Sequence, residues 1–149
     1  MMKISILFAT ETGNAETLAD DLRDELASHH DVWTASLTDF GTAVGNADLS
    51  LLLISTYGDG EVPAMAKCFV AALDAGDVPV AGQRFAIFGL GDKNYGPTFG
   101  RASRLVEERL IAKGALIIGE REVHDASGPE FMDDQAKRWC AGVLQSLAV

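Results

Sequence analysis

Leu49-Ser50-Leu51-Leu52-Leu53-Ile54-Ser55, LSLLLIS, is apolar almost without interruption. A strand with one wet face alternates apolar and polar residues, whereas a strand buried on both faces does not. This stretch therefore belongs at the centre of a parallel sheet with helices packed on each side. Working outward, Ile4 to Ala9, Val32 to Ser36, Phe85 to Phe88 and Leu116 to Ile118 read as four further strands. Between them the apolar period becomes helical. Ala15, Leu18, Ala19, Leu22 and Leu26 share one face, as do Met65, Phe69, Ala72 and Leu73, and as do Ala136, Cys140, Val143, Leu144 and Leu147. Leu105, Val106 and Leu110 mark a shorter helical stripe that stops near Lys113, with Gly114 as its C-cap. The Gly-rich stretch from Thr38 to Asp48 shows no clear period. Five strands alternating with helices specify a doubly wound α/β fold: a five-stranded parallel sheet in the order 2-1-3-4-5, with helices on both faces.

The 149 residues suit a single domain over 1–149, with Gly and Pro scattered between periodic segments rather than gathered in a linker. Twelve Lys and Arg face 22 Asp and Glu, a formal net charge of -10. Such a chain repels nucleic acid and anionic membranes and favours partners with basic faces. Cys68 and Cys140 lie on separate helical segments without metal-ligand spacing, and are expected to be reduced, buried residues. His29-His30 and His124 give no metal constellation, and Trp33 and Trp139 are expected to pack. ISILFA is too short for a secretory signal or a membrane span, so the expectation is a cytoplasmic monomer.

Ligands of this fold class sit beyond the carboxyl ends of the strands. The first such segment is Thr10-Glu11-Thr12-Gly13-Asn14-Ala15-Glu16, with hydroxyls, a glycine and free amides at a helix start. That combination suits a phosphate, although Thr12 or Asn14 acting as an ordinary helix cap explains the same residues. No Lys follows, as a triphosphate loop requires, and neither this loop nor Gly89-Leu90-Gly91-Asp92-Lys93-Asn94 completes GxGxxG. A single terminal phosphate is left. The segments after strands three and four, Thr56 to Pro63 and Gly89 to Pro97, each carry one aromatic, Tyr57 or Tyr95, among glycines and polar residues. Two tyrosines on adjacent strand ends could lie on opposite faces of a planar ring. A phosphate and a flat ring together describe flavin mononucleotide (FMN).

At these three loops the sequence resembles the flavodoxin family, including the FMN-binding domains of cytochrome P-450 reductase and sulfite reductase and the small stand-alone flavodoxins of the MioC type. The resemblance implies that Thr10, Glu11, Thr12, Gly13, Asn14 and Ala15 hold the phosphate, and that Ser55, Thr56, Tyr57, Gly58, Asp59 and Gly60 lie near the ring. It places Gly91, Asp92, Asn94 and Tyr95 around the pyrimidine edge and second face, with Phe99 and Asp125 as further neighbours. The family's third loop continues into a polar and aromatic run ending in Cys or Asn; here it reads Gly96-Pro97-Thr98-Phe99-Gly100. The implied function is electron transfer through flavin semiquinone and hydroquinone, with the Gly58 peptide turning its carbonyl toward flavin N5. An NADPH-dependent flavoprotein reductase would be the donor and a redox protein with a basic face the acceptor, since the chain carries no FAD or nicotinamide domain. Two other readings are a flavin-dependent reductase of a small substrate such as a quinone, and the FMN domain of a larger diflavin reductase. A phosphorylation-controlled receiver domain is disfavoured, because Ser55-Thr56 and Glu122-Val123-His124 stand where its acceptor Asp and Lys would be.

Overall fold

The computed structural model describes residues 1–43 and 46–147. Among them, six strands form one sheet: β1 (Lys3–Ala9), β2 (Asp31–Ser36), β3 (Leu49–Ser55), β4 (Arg84–Gly91), β5 (Leu116–Ile117) and β6 (Glu122–Asp125). The helices are α1 (Asn14–Leu26), α2 (Phe40–Ala43), α3 (Ala64–Ala75), α4 (Arg101–Ala112) and α5 (Met132–Leu147). Strand order is β2-β1-β3-β4-β5, with β6 also paired to β4, and every pairing is parallel.

All seven residues of β3 are buried, because the sheet separates two apolar cores. Leu49, Leu51 and Leu53 face one way, toward Leu18 and Leu22 of α1 and Trp139 and Val143 of α5. Leu52 and Ile54 face the other, toward Phe69 and Leu73 of α3 and Val106 and Leu110 of α4. The alternation of side chains along a strand distributes a continuous apolar run between the two layers, and each fully buried Leu contributes about 1.5–3 kcal/mol. Ser50, the polar break in that run, is satisfied by its register partner: Ser5 Oγ donates to Ser50 Oγ at 2.8 Å. Trp139 packs on Phe88 with ring centroids 5.2 Å apart. Gly114 takes the left-handed conformation (φ 86) just beyond α4, as its sequence position suggests.

Three details differ from the sequence expectation. The fifth strand is two pieces rather than one: β5 pairs with Arg84 and Phe85, β6 with Phe88 to Gly91. From Phe85 to Phe88 the inner strand takes three residue steps while the edge takes five, from Ile117 to Glu122, so two extra residues are accommodated around Gly119 at φ 70. Cys68 is exposed on α3, not buried; only Cys140 lies in the core, where burial and then the Glu25 carboxylate push its thiol up to about 12. The unassigned stretch after β2 forms a 3-10 turn (Leu37–Asp39), capped by Ser36 Oγ accepting from Thr38 N, and runs into α2. Val44 and Gly45 within that stretch lie outside the described residues.

Gly89 sets the approach of α4 to the sheet. A Cβ there would lie 2.5 Å from Ser103 Oγ, 3.0 Å from Ser103 Cβ and 3.2 Å from Val123 Cγ2. Gly89→Ala is expected to destabilise the fold by about 1–3 kcal/mol through overpacking. Urea unfolding reads this as a lower midpoint at unchanged slope; a wild-type midpoint would show that the contact relaxes freely.

Candidate cofactor site

Because β1, β3 and β4 run parallel, the segments that follow them emerge at one edge. The first loop turns at Gly13, whose φ of 94 is a left-handed conformation that favours glycine, and α1 begins without any side-chain cap. This corrects the cap reading of Thr12 and Asn14: neither side chain serves the helix start. The first helical bond is Thr17 N to Gly13 O at 3.0 Å, which leaves the amides of Asn14, Ala15 and Glu16 without protein partners among the described residues. Gly13 N instead donates to Thr10 Oγ1 at 3.1 Å, holding that hydroxyl within the loop.

An oxygen already lies in this loop. The Tyr57 hydroxyl accepts from the amides of Glu11 and Thr12, the latter at 3.1 Å, and shares a hydrogen bond with Thr10 Oγ1 at 2.7 Å. Burial alone would push the phenol up. The hydrogen bonds from the Thr10 side chain, the Glu11 and Thr12 amides and the Thr12 side chain outweigh it and hold the phenol below the ordinary tyrosine value. The loop therefore favours a negatively charged oxygen using neutral donors. The Glu11 side chain takes a different part: its Oε1 accepts from Ala64 N at 3.1 Å, capping α3.

The second loop is closed by reciprocal bonds, Tyr57 N to Glu61 O at 2.9 Å and Glu61 N to Tyr57 O at 2.7 Å, with Gly58 (φ 46) and Gly60 (φ 85) making the turn. Thr56 Oγ1 accepts from Ala102 N at 2.9 Å and so caps α4 from this loop. Thr98 Oγ1 donates to Asp59 Oδ1 at 3.1 Å, joining the second loop to the third. In the third loop Asp92 Oδ1 accepts from Asn94 N at 2.8 Å. Asp125 lies behind it and its Oδ1 accepts from Lys93 N at 3.0 Å, Ser127 N at 3.0 Å and Ser127 Oγ at 2.7 Å. The Lys93 amide first, then the Ser127 hydroxyl, hold the Asp125 carboxyl below the usual aspartate value. Phe99 packs beneath Gly91, where an added Cβ would lie 3.2 Å from its ring.

Between the loops lies a cavity of about 450 Å³ lined by Thr12, Asn14, Ser55, Thr56, Tyr57, Gly58, Leu90, Gly91, Asp92, His124, Ala126 and Met132. Eight of these twelve, Thr12, Asn14, Ser55, Thr56, Tyr57, Gly58, Gly91 and Asp92, belong to the residues implicated by sequence; one, Asn14, also presents a free amide. Thr10, Gly13 and Ala15 build the first loop's turn beside it, Glu11 and Gly60 line an adjoining cavity that Tyr57 also lines, and Asp59, Asn94, Phe99 and Asp125 brace the loops. Tyr95 is 48% exposed on the third loop and does not line the cavity. His124, Ala126 and Met132 were not anticipated. His124 is buried, its Nδ1 bonded to Gln135 Oε1 at 2.7 Å, while Gln135 Nε2 donates to Glu122 Oε2 at 3.1 Å. Their signal was the unrecognised strand β6, which ends beside Gly91 and carries His124 and Ala126 to the same edge, with Met132 following at the start of α5.

The arrangement has counterparts among known proteins. The chain is 31% identical over 147 residues to the sulfite reductase [NADPH] flavoprotein alpha-component of Sodalis glossinidius, covering 97% of this chain and 24% of that protein. It is 33% identical over 155 residues to NADPH-dependent diflavin oxidoreductase 1 of Yarrowia lipolytica, covering 97% and 22%. The chain thus spans about a quarter of the length of these curated relatives. A flavodoxin variant from Pseudomonas aeruginosa superimposes with a TM-score of 0.84 at 26% identity, over 99% of this chain and all of that one. Residues 6–139 match the family described as Flavodoxin, and the chain belongs to the flavodoxin family.

Proposed function

We propose that the protein binds FMN across its three loops and works as a cytoplasmic, single-domain electron carrier between an NADPH-dependent flavoprotein reductase and an acceptor with a basic face. The observation that carries this reading is the adjacency of two features: a turn whose amides and hydroxyls already coordinate an oxygen, and a cavity of about 450 Å³ that opens from the same turn between two further loops. Family membership supports it.

Bound flavin would supply one-electron chemistry between donor and acceptor. The Thr10 and Thr12 hydroxyls, the Glu11 and Thr12 amides and the Asn14, Ala15 and Glu16 amides fit its phosphate, donating without a cationic partner. Ser55, Thr56, Tyr57, Gly58, Gly91 and Asp92 fit the ring, while Tyr95 is exposed on the third loop and would meet the ring only if that loop moved. Asp59 and Glu61 are exposed and Asp92 half-buried on these loops, so the protein opposes further negative charge at the ring and holds the second potential low. The same carboxylates give the exit face its sign, and an acidic face attracts a basic partner over roughly a Debye length.

Purified protein is expected to quench FMN fluorescence and to show flavin absorption bands; failure to bind added FMN under native conditions would overturn the reading. At Gly58 a Cβ would meet only Glu61 Cδ, at 3.9 Å, so space is available and the constraint is the positive φ. Gly58→Val is therefore expected to narrow the separation of the two flavin potentials in a redox titration, and an unchanged separation would remove the role of this peptide. With a basic acceptor, the association rate should fall as salt rises, and Asp59→Asn with Glu61→Gln should flatten that slope. A wild-type rate indifferent to salt would count against steering.

A further inference from the structure

We infer that the Tyr57 hydroxyl is a built-in competitor for the phosphate position, and so sets how strongly the site prefers a flavin phosphate over the flavin alone. This rests on the FMN reading. The hydroxyl accepts from two successive amides, Glu11 and Thr12, and shares a bond with Thr10 Oγ1. Successive backbone amides converging in the loop just before a helix start, as those of Glu11 and Thr12 do before Gly13, are donors a phosphate oxygen takes. Two oxygens cannot occupy that point together, so a phosphate that uses these donors must dislodge the phenol.

The exchange has a definite direction for each ligand. A phosphate dianion makes charge-assisted hydrogen bonds, roughly twice as strong as those of a neutral oxygen, and so displaces the hydroxyl. A ribityl hydroxyl would trade one neutral oxygen for another and gain almost nothing. Tyr57 also lines the ring cavity while its hydroxyl is held in the loop. Riboflavin is thus able to enter with the loop still closed by Tyr57, whereas FMN must open it. The plug lowers the benefit of carrying a phosphate, and the same donors hold the phenol below the ordinary tyrosine value.

Tyr57→Phe keeps the ring and removes the competitor. Inorganic phosphate, followed through the Glu11 and Thr12 amide resonances, is expected to bind the variant about 5- to 30-fold more tightly than wild type. FMN, followed by fluorescence quenching, should gain by a similar factor, while riboflavin affinity stays as it was. Unchanged or weaker phosphate and FMN binding by the folded variant would overturn the inference. So would an equal gain for riboflavin, which would assign the effect to the ring. The wild-type protein gives a second readout: Tyr57 and Tyr95 are its two tyrosines, and phosphate alone should shift the near-ultraviolet tyrosine absorption as the phenol leaves the loop. No shift at saturating phosphate would refute displacement even if the variant failed to fold. If neither protein binds FMN, the cofactor reading fails by itself, and the phosphate titrations still decide the role of Tyr57.

Discussion

Parallel hydrogen bonding of β1, β3 and β4 fixes where everything else can be. Phe8 is level with Leu53, and Leu53 with Phe88, so the three strands finish within a few residues of one another. Their following segments must then share an edge, whatever those segments contain. Burial of β3 on both faces holds that register, since a slip by one residue would exchange the side chains of the two apolar cores.

Side chains then hold the loops against one another rather than leaving each to its own turn. The Glu11 carboxylate caps α3, which follows the second loop, and Thr56 from the second loop caps α4, which follows the third. Asp59 meets Thr98, and Asp125 reaches back to the Lys93 amide. A carboxylate or hydroxyl at a helix start satisfies amides that would otherwise need water, so these bonds stabilise helices and position loops together. Most of the polar residues around the cavity therefore serve the scaffold with one group and the site with another: Glu11 offers its amide to the turn and its carboxylate to α3.

The parts of this architecture legible in the sequence were those written in periodicity. LSLLLIS could only be a strand covered twice, and the α1 stripe of Ala15, Leu18, Ala19, Leu22 and Leu26 is buried as the helical period requires. The β6 segment was not legible because Glu122-Val123-His124-Asp125 is short and polar and owes its strand conformation to pairing with Phe88 to Gly91. His124, Ala126 and Met132 went unseen with it. Cys68 was misplaced because the expectation followed cysteine's preference for burial: one residue before Phe69, it projects about 100° round α3 from that side chain and away from the buried face. Loop motifs pointed to the candidate cavity but not to the division of labour around it: residue type does not reveal that the Tyr57 hydroxyl reaches the first loop, nor that Glu11 turns its carboxylate to α3.

The interrupted edge of the sheet has a consequence of its own. An uninterrupted outer strand presents a row of unpaired amides and carbonyls on which another chain can extend the sheet. Here that row is broken after Ile117 and restarts at Glu122, offset in register by the two extra residues around Gly119. An incoming strand could match β5 or β6 but not both in one register. The irregularity that conceals β6 in the sequence thus also denies this edge of the sheet a template for growth.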